Sequence, residues 1–107
     1  MTIQGTEILA QLQWRYAVKK FDAIKKVSQA DWHILEESMR LAPSSYGLQP
    51  WKFIVVQDRK IRKQLTPVSW NQSQVEDCSH YVVFATRTKI EEADVEKLVQ
   101  KIAQVRG

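Results

Sequence analysis

Apolar residues recur along this chain in two different rhythms. Ile8, Leu9 and Leu12 fall at helical spacing and predict a first helix from about Thr6 to Trp14. Arg15 to Asp22 breaks that period. Ser28 then reads as a helix N-cap, with Asp31 three residues on as its capping-box partner. Trp32, Leu35, Met39 and Ala42 follow at steps of three and four, giving a second helix over about Gln29 to Leu41. Pro43 stops it, because a proline ring crowds the α conformation of the preceding residue. Ser44 to Pro50 holds Gly47 and no apolar period, so it is a loop. Trp51 to Gln57 and Ser79 to Thr88 are short β-branched and aromatic runs, the pattern of strands. Val82, Val83 and Phe84 are apolar in succession, so the second strand is expected to be buried on both faces. Between the strands, Asp58 caps a short helix over Arg59 to Leu65, with Pro67 beyond it, and another short helix is expected from Asn71 to Asp77. Val95, Leu98, Val99, Ile102 and Val105 mark a final amphipathic helix.

Helices alternating with doubly buried strands argue for an α/β or α+β domain. The chain shows neither an internal repeat nor a Gly/Ser linker, and its 107 residues are the length of one domain with one modest core. Trp14, Trp32 and Trp51 sit at apolar-periodic or strand positions and are expected in that core. Two strong strands are nonetheless too few, since a free-standing sheet needs about three or more, or a covering partner. The last helix ends in Val105-Arg106-Gly107 without returning to the sheet. On its residues alone, the chain reads as the first part of something larger or as one partner in an assembly.

Composition narrows the class. Hydrophobic residues at 44%, charged residues at 26%, three Gly and three Pro exclude collagen-like repeats, low-complexity disorder and a disulfide scaffold. The longest apolar runs, Phe53–Val56 and Tyr81–Ala85, are far short of the roughly 18 residues of a membrane span. Met1-Thr2-Ile3-Gln4-Gly5 has no charged flank leading into an apolar stretch, so no signal peptide is read. A single cysteine, Cys78, cannot bridge internally and suits a reducing, cytoplasmic setting. The formal charge of +4 is concentrated in Arg15, Lys19, Lys20, Lys25 and Lys26, and again in Arg59, Lys60, Arg62 and Lys63. Such segments fit a phosphorylated small molecule as well as nucleic acid.

Most chemical constellations fail. Cys78 and His80 lie two apart and His33 stands alone, so zinc-ligand spacing is absent and no metal is expected. A Cys78–His80 nucleophile pair lacks a third, orienting group. Glu36-Glu37 and Glu91-Glu92 read as solvated helix faces, and neither a dinucleotide-binding glycine fingerprint nor a phosphate loop is present. Two segments stand out. In Arg15-Tyr16-Ala17-Val18-Lys19-Lys20-Phe21-Asp22, arginine and lysine with free backbone N–H groups between them could hold a phosphate monoester. In Leu41–Trp51, two small hydroxyls and a glycine let backbone approach a flat ligand, and Gln49 offers amide groups to a polar edge. Taken singly, each reads first as a plain surface loop.

Together and in this order, the two segments resemble the FMN-dependent nitroreductase family of NAD(P)H-dependent flavin oxidoreductases. The first matches the family's Arg-x-Ser-x-Arg/Lys-x-Phe at Arg15, Lys19 and Phe21. The second matches Ala-Pro-Ser-Ser-x-x-x-Gln-Pro-Trp at Ala42, Pro43, Ser44, Ser45, Gln49, Pro50 and Trp51. A third match is Asn71, ahead of the hydrophobic strand that ends in Tyr81–Phe84. The resemblance implies an α+β, nitroreductase-like three-layer fold: a central, mostly antiparallel sheet flanked by helices, here its N-terminal half. It implies a homodimer with two FMN sites at the interface. Arg15, Tyr16, Ala17 and Lys19 would line the phosphate, ribityl and pyrimidine side. Pro43, Ser44, Ser45, Tyr46 and Gly47 would reach the other subunit's flavin, and Asn71 and Gln74 would sit at the ring edge or nicotinamide pocket. NAD(P)H would be the co-substrate, and a nitroaromatic or quinone-like small molecule the acceptor, in alternating turns. Ala17 departs from the family, where Ser is common, as do Gly47 for Asn and Gln74 for Lys. Family members also run to about twice this length. Residues 1–107 are therefore expected to be the N-terminal part of one domain and alone to hold FMN weakly or not at all. The competing expectations are a non-catalytic dimeric fragment and a basic nucleic-acid-binding module.

Overall fold

A computed structural model describes residues 2–107. Five α-helices and two strands follow the order α1 (Gly5–Trp14), α2 (Gln29–Arg40), β1 (Trp51–Val56), α3 (Arg59–Leu65), α4 (Gln74–Asp77), β2 (Tyr81–Thr86) and α5 (Glu92–Arg106). Local chemistry accounts for most of these boundaries. Ser28 Oγ accepts from the Asp31 backbone N–H at 3.1 Å and donates to the Asp31 carboxylate at 2.7 Å, which starts α2 at the expected residue. Asp58 caps α3 by accepting from the Lys60 N–H at 2.7 Å. Glu91 and Asp94 form a reciprocal capping box at the head of α5.

The strands pair antiparallel, from Trp51 opposite Thr86 to Val56 opposite Tyr81. Phe53 faces Phe84 across the ladder, ring centroids 5.2 Å apart and edge to face, a geometry aromatic pairs favour. Helix α2 lies along the Trp51, Phe53 and Val55 face, and α3 packs against α4.

Several expectations are corrected. The helix expected from Asn71 covers only Gln74–Asp77, because Trp70 and Asn71 both take left-handed backbone angles (φ 53° and 54°) that no α-helix admits. Trp14 is 79% exposed and Phe84 69% exposed, so neither belongs to a core, and β2 is not buried on both faces. Trp32, at 8% exposure, does belong, with Val75. That core is far smaller than the modest one expected: Ile8, Leu9 and Leu12 on α1 and Val99 and Ile102 on α5 all lie open. Accessible surface totals 9656 Å², against roughly 6,200 Å² for a folded monomer of 12.5 kDa. The radius of gyration is 18.2 Å, where a compact chain of this length has about 13 Å. Among the described residues, no helix is long and apolar enough to cross a membrane.

Candidate functional site

The cationic segment leaves α1 at Arg15, whose backbone is already extended (φ −67°, ψ 144°), and runs irregularly to Val27. Arg15, Tyr16, Ala17 and Lys19 are all exposed along it, and among the described residues neither Arg15 nor Lys19 is in an ion pair. Asp22 turns the chain by accepting from the Ile24 N–H at 2.9 Å. Two long-range hydrogen bonds then hold this otherwise free segment. Gln74 Nε2 donates to the Val18 carbonyl at 3.4 Å, and the Val27 N–H donates to Ser79 Oγ at 2.8 Å. The first lays Lys19 and its neighbours beside the turn that carries Asn71 and Gln74.

The turn itself is strained. After α3, a 3₁₀ turn over Pro67–Ser69 leads into Trp70 and Asn71, and the Asn71 N–H donates to the Thr66 carbonyl at 3.0 Å. That bond holds two consecutive non-glycine residues left-handed, a conformation such residues rarely take. Strain of this kind persists where surrounding structure over-determines it, and it clusters at binding sites.

The serine-bearing loop shows the same signature. Ser45–Gly47 forms a 3₁₀ turn in which Tyr46 (φ 54°), Gly47 (φ 73°) and then Gln49 (φ 46°) are left-handed. Tyr46 is 91% exposed, and a side chain at Gly47 would meet no atom within 4 Å, so this turn projects into open space. Pro43, Ser45 and Gly47 are exposed with it, and Ser44 is half-buried. The Gln49 N–H donates to Ser44 Oγ at 2.8 Å, and Gln49 Nε2 donates to the Arg40 carbonyl at 3.2 Å. Gln49 therefore closes the end of α2 and fixes the loop, which commits its Nε2 and leaves only its Oε1 for a ligand. That revises its expected role.

Within one chain the Arg15–Lys19 segment meets the Asn71–Gln74 turn. No hydrogen bond between described residues ties the Ser44–Gly47 loop to either. Arg62 also leaves the surface cationic cluster in which the sequence placed it: it is 7% exposed, and its Nη1 donates to the Cys78 carbonyl at 2.7 Å. Its position three residues before the half-buried Leu65, on the inner face of α3, is the signal that could have located it. His80 stacks on Trp32 at 3.9 Å with its Nδ1 in contact with Ser79 Oγ, a structural placement. No described group of three or more His, Cys, Asp or Glu could hold a metal ion.

The model of the nitroreductase family matches residues 12–105. "Putative NAD(P)H nitroreductase SSP0379" of Staphylococcus saprophyticus is 43% identical over 91 residues, covering 84% of this chain and 42% of its own length. "Putative NAD(P)H nitroreductase YfkO" of Bacillus subtilis is 45% identical over 84 residues, covering 78% of this chain and 38% of its own. The chain thus spans about two fifths of the length of these curated relatives. Among solved structures, a nitroreductase-like protein of Streptococcus mutans superposes with a TM-score of 0.77 at 21% identity, over 95% of this chain and 49% of that one. A nitroreductase of Exiguobacterium sibiricum crystallised in complex with FMN gives 0.70 at 25% identity, over 98% and 49%. The α+β arrangement described above is therefore the N-terminal half of the fold these proteins share.

Proposed function

The chain belongs to the nitroreductase family, and we propose that residues 1–107 are the N-terminal, flavin-holding part of one domain of an NAD(P)H-dependent oxidoreductase. Its electron acceptors are nitroaromatic or quinone-like molecules, its working form is a cytoplasmic homodimer, and it uses neither a metal nor nucleic acid. One observation carries the reading: the Gln74–Val18 hydrogen bond, which sets a cationic segment, without an ion pair among the described residues, against a strained turn bearing Asn71.

The donor set fits FMN. Arg15 can take a phosphate monoester bidentately and Lys19 can add a point charge, and neither has a carboxylate to release first among the described residues. Tyr16 and Ala17 lie in irregular chain, where their backbone N–H groups face no helical or sheet partner. Asn71, on a backbone held by its bond to the Thr66 carbonyl, would offer its amide to the ring edge, and Gln74, its Nε2 given to the Val18 carbonyl, would stand beside it. Pro43, Ser44, Ser45, Tyr46 and Gly47 belong to a turn that faces away from its own chain, as expected of a loop that completes the partner subunit's site. Bound there, FMN would supply the hydride chemistry between NAD(P)H and the acceptor, so no nucleophile is required of the protein. The chain's own part is to bind the phosphate, to place hydrogen-bond donors where negative charge develops on reduction, and to leave a slot for a planar molecule.

Flavin titration of a full-length version carrying these residues, with two arginine variants, tests this. Arg15→Ala should weaken FMN by about ten-fold or more, the loss of a charge-assisted hydrogen bond, while Arg59→Ala leaves it unchanged. Equal loss from both removes the phosphate-site assignment.

A further inference from the structure

The strained turn that bears Asn71 is held from one residue. The Thr66 carbonyl accepts from the Ser69 N–H at 3.1 Å and from the Asn71 N–H at 3.0 Å. The Gln72 N–H then closes back on the Ser69 carbonyl at 3.1 Å. Val68 is 78% exposed and Trp70 88%, so packing on the outer side of the turn contributes little. The left-handed backbone at Trp70 and Asn71 therefore leans on the position of Thr66.

Thr66 is itself fixed twice. It closes α3, its N–H donating to the Arg62 carbonyl at 3.1 Å. Its hydroxyl lies 3.1 Å from Glu76 Oε1 and 3.2 Å from that same carbonyl, with one proton to give. Thr66 and Glu76 are both half-buried. Glu76 belongs to α4, which at four residues is too short to keep its place through its own backbone. Side chains place it instead: Val75 is buried, Arg62 holds the Cys78 carbonyl at the end of α4, and Thr66 holds Glu76. Thr66 thus touches α4 with its hydroxyl and the strained turn with its carbonyl.

We propose that Thr66 is a positioning residue for the flavin site, fixing where Asn71 presents its amide. The assignment rests on the reading of this chain as a flavin-holding part. A donor aimed at developing charge acts through its alignment, and alignment is set by the residues behind it. The hydroxyl can be removed while the carbonyl stays. Without it the Glu76 carboxylate loses its donor and turns to water, and the end of α3 that carries the Asn71 hydrogen bond is freer to shift. Arg15 and Lys19, on another segment, keep their hold on the phosphate.

Two measurements test this, the first without flavin. In the 107-residue chain, amide hydrogen exchange at Asn71 reads its bond to the Thr66 carbonyl. Thr66→Val keeps the β-branched shape and loses the hydroxyl, so it should speed that exchange several-fold while the β1–β2 ladder amides exchange as before. Thr66→Ser should restore the slow rate. Glu76→Leu should match Thr66→Val, and Glu76→Gln, which still offers an acceptor, should match the unaltered chain. In a full-length version carrying these residues and loaded with FMN, Thr66→Val should slow flavin reduction by NADH or NADPH several-fold with FMN affinity nearly unchanged, and Thr66→Ser should recover the rate. Asn71 exchange indifferent to Thr66→Val, or Thr66→Ser as impaired as Thr66→Val, overturns the proposal whatever the flavin does. Faster exchange with an unaltered reduction rate overturns it too and leaves Thr66 a structural residue. A full-length version that binds no FMN removes the underlying reading, and the role of Thr66 with it, even where the exchange results hold. If Thr66→Val fails to fold, the two Glu76 variants decide in the same measurements.

Discussion

Ala17 presents a methyl group on the exposed cationic segment, at a position where the resembled family commonly carries a serine hydroxyl. One hydroxyl donor to a phosphate contributes about 1 kcal/mol net, so Ala17→Ser should tighten FMN by roughly five-fold in the same titration. Unchanged affinity would mean that residue 17 does not face the phosphate. Single residues also mark where the sequence was legible. Arg15, Ser44 and Asn71 stand out through their motif neighbours, and each lies on an irregular segment. Arg62 and Gln49 were misassigned for a shared reason: a polar side chain reads as a ligand or solvent group until its distant hydrogen-bond partner is known. Those partners, the Cys78 and Arg40 carbonyls, are backbone atoms 16 and 9 residues away. No local pattern encodes them.

Helices and strands were legible where a cap or a period is local. Ser28 and Asp58 fix the starts of α2 and α3, and replacing Ser28 by Ala should cost about 1 kcal/mol, read as a lowered thermal midpoint of the helical circular-dichroism signal. Helix α5 gives a pH-dependent counterpart. The Glu91 backbone N–H, and after it the Arg87 guanidinium, hold the Asp94 carboxyl below its ordinary value of 3.8. A carboxylate depressed on folding stabilises the folded form fully above its unfolded value, and that contribution disappears as pH falls through the folded one. The helical signal of α5 should therefore fray below about pH 4, and Asp94→Asn should lose that acid dependence while starting from a weaker helix. An acid profile identical in the variant would mean that this capping box does not hold α5. The Asn71–Asp77 segment was not legible in the same way. Its composition permits a helix, while the Asn71–Thr66 hydrogen bond to the end of α3 goes with left-handed backbone at Trp70 and Asn71.

For the molecule as a whole, the two-strand deficit read from the sequence reappears as exposed area. The surface exceeds that of a compact monomer by roughly 3,500 Å², on the scale of the 2,000–5,000 Å² buried in obligate assemblies. Much of the excess is apolar, spread over α1, α5 and the exposed Phe84 and Ile54, which lie on opposite faces of the two-stranded sheet. Exposed apolar area on this scale favours association in water. Sedimentation velocity of the 107-residue chain should accordingly find dimers or larger species, and Phe84→Glu, which places a charge at the exposed end of the Phe53 face without altering the β1–β2 backbone ladder, should shift them toward monomer. A monodisperse monomer that binds no hydrophobic dye would require these faces to fold against one another in solution. In that case the Ser44–Gly47 turn would have to find its flavin within its own chain, and the assignment of that loop to a partner subunit's site would fall with it.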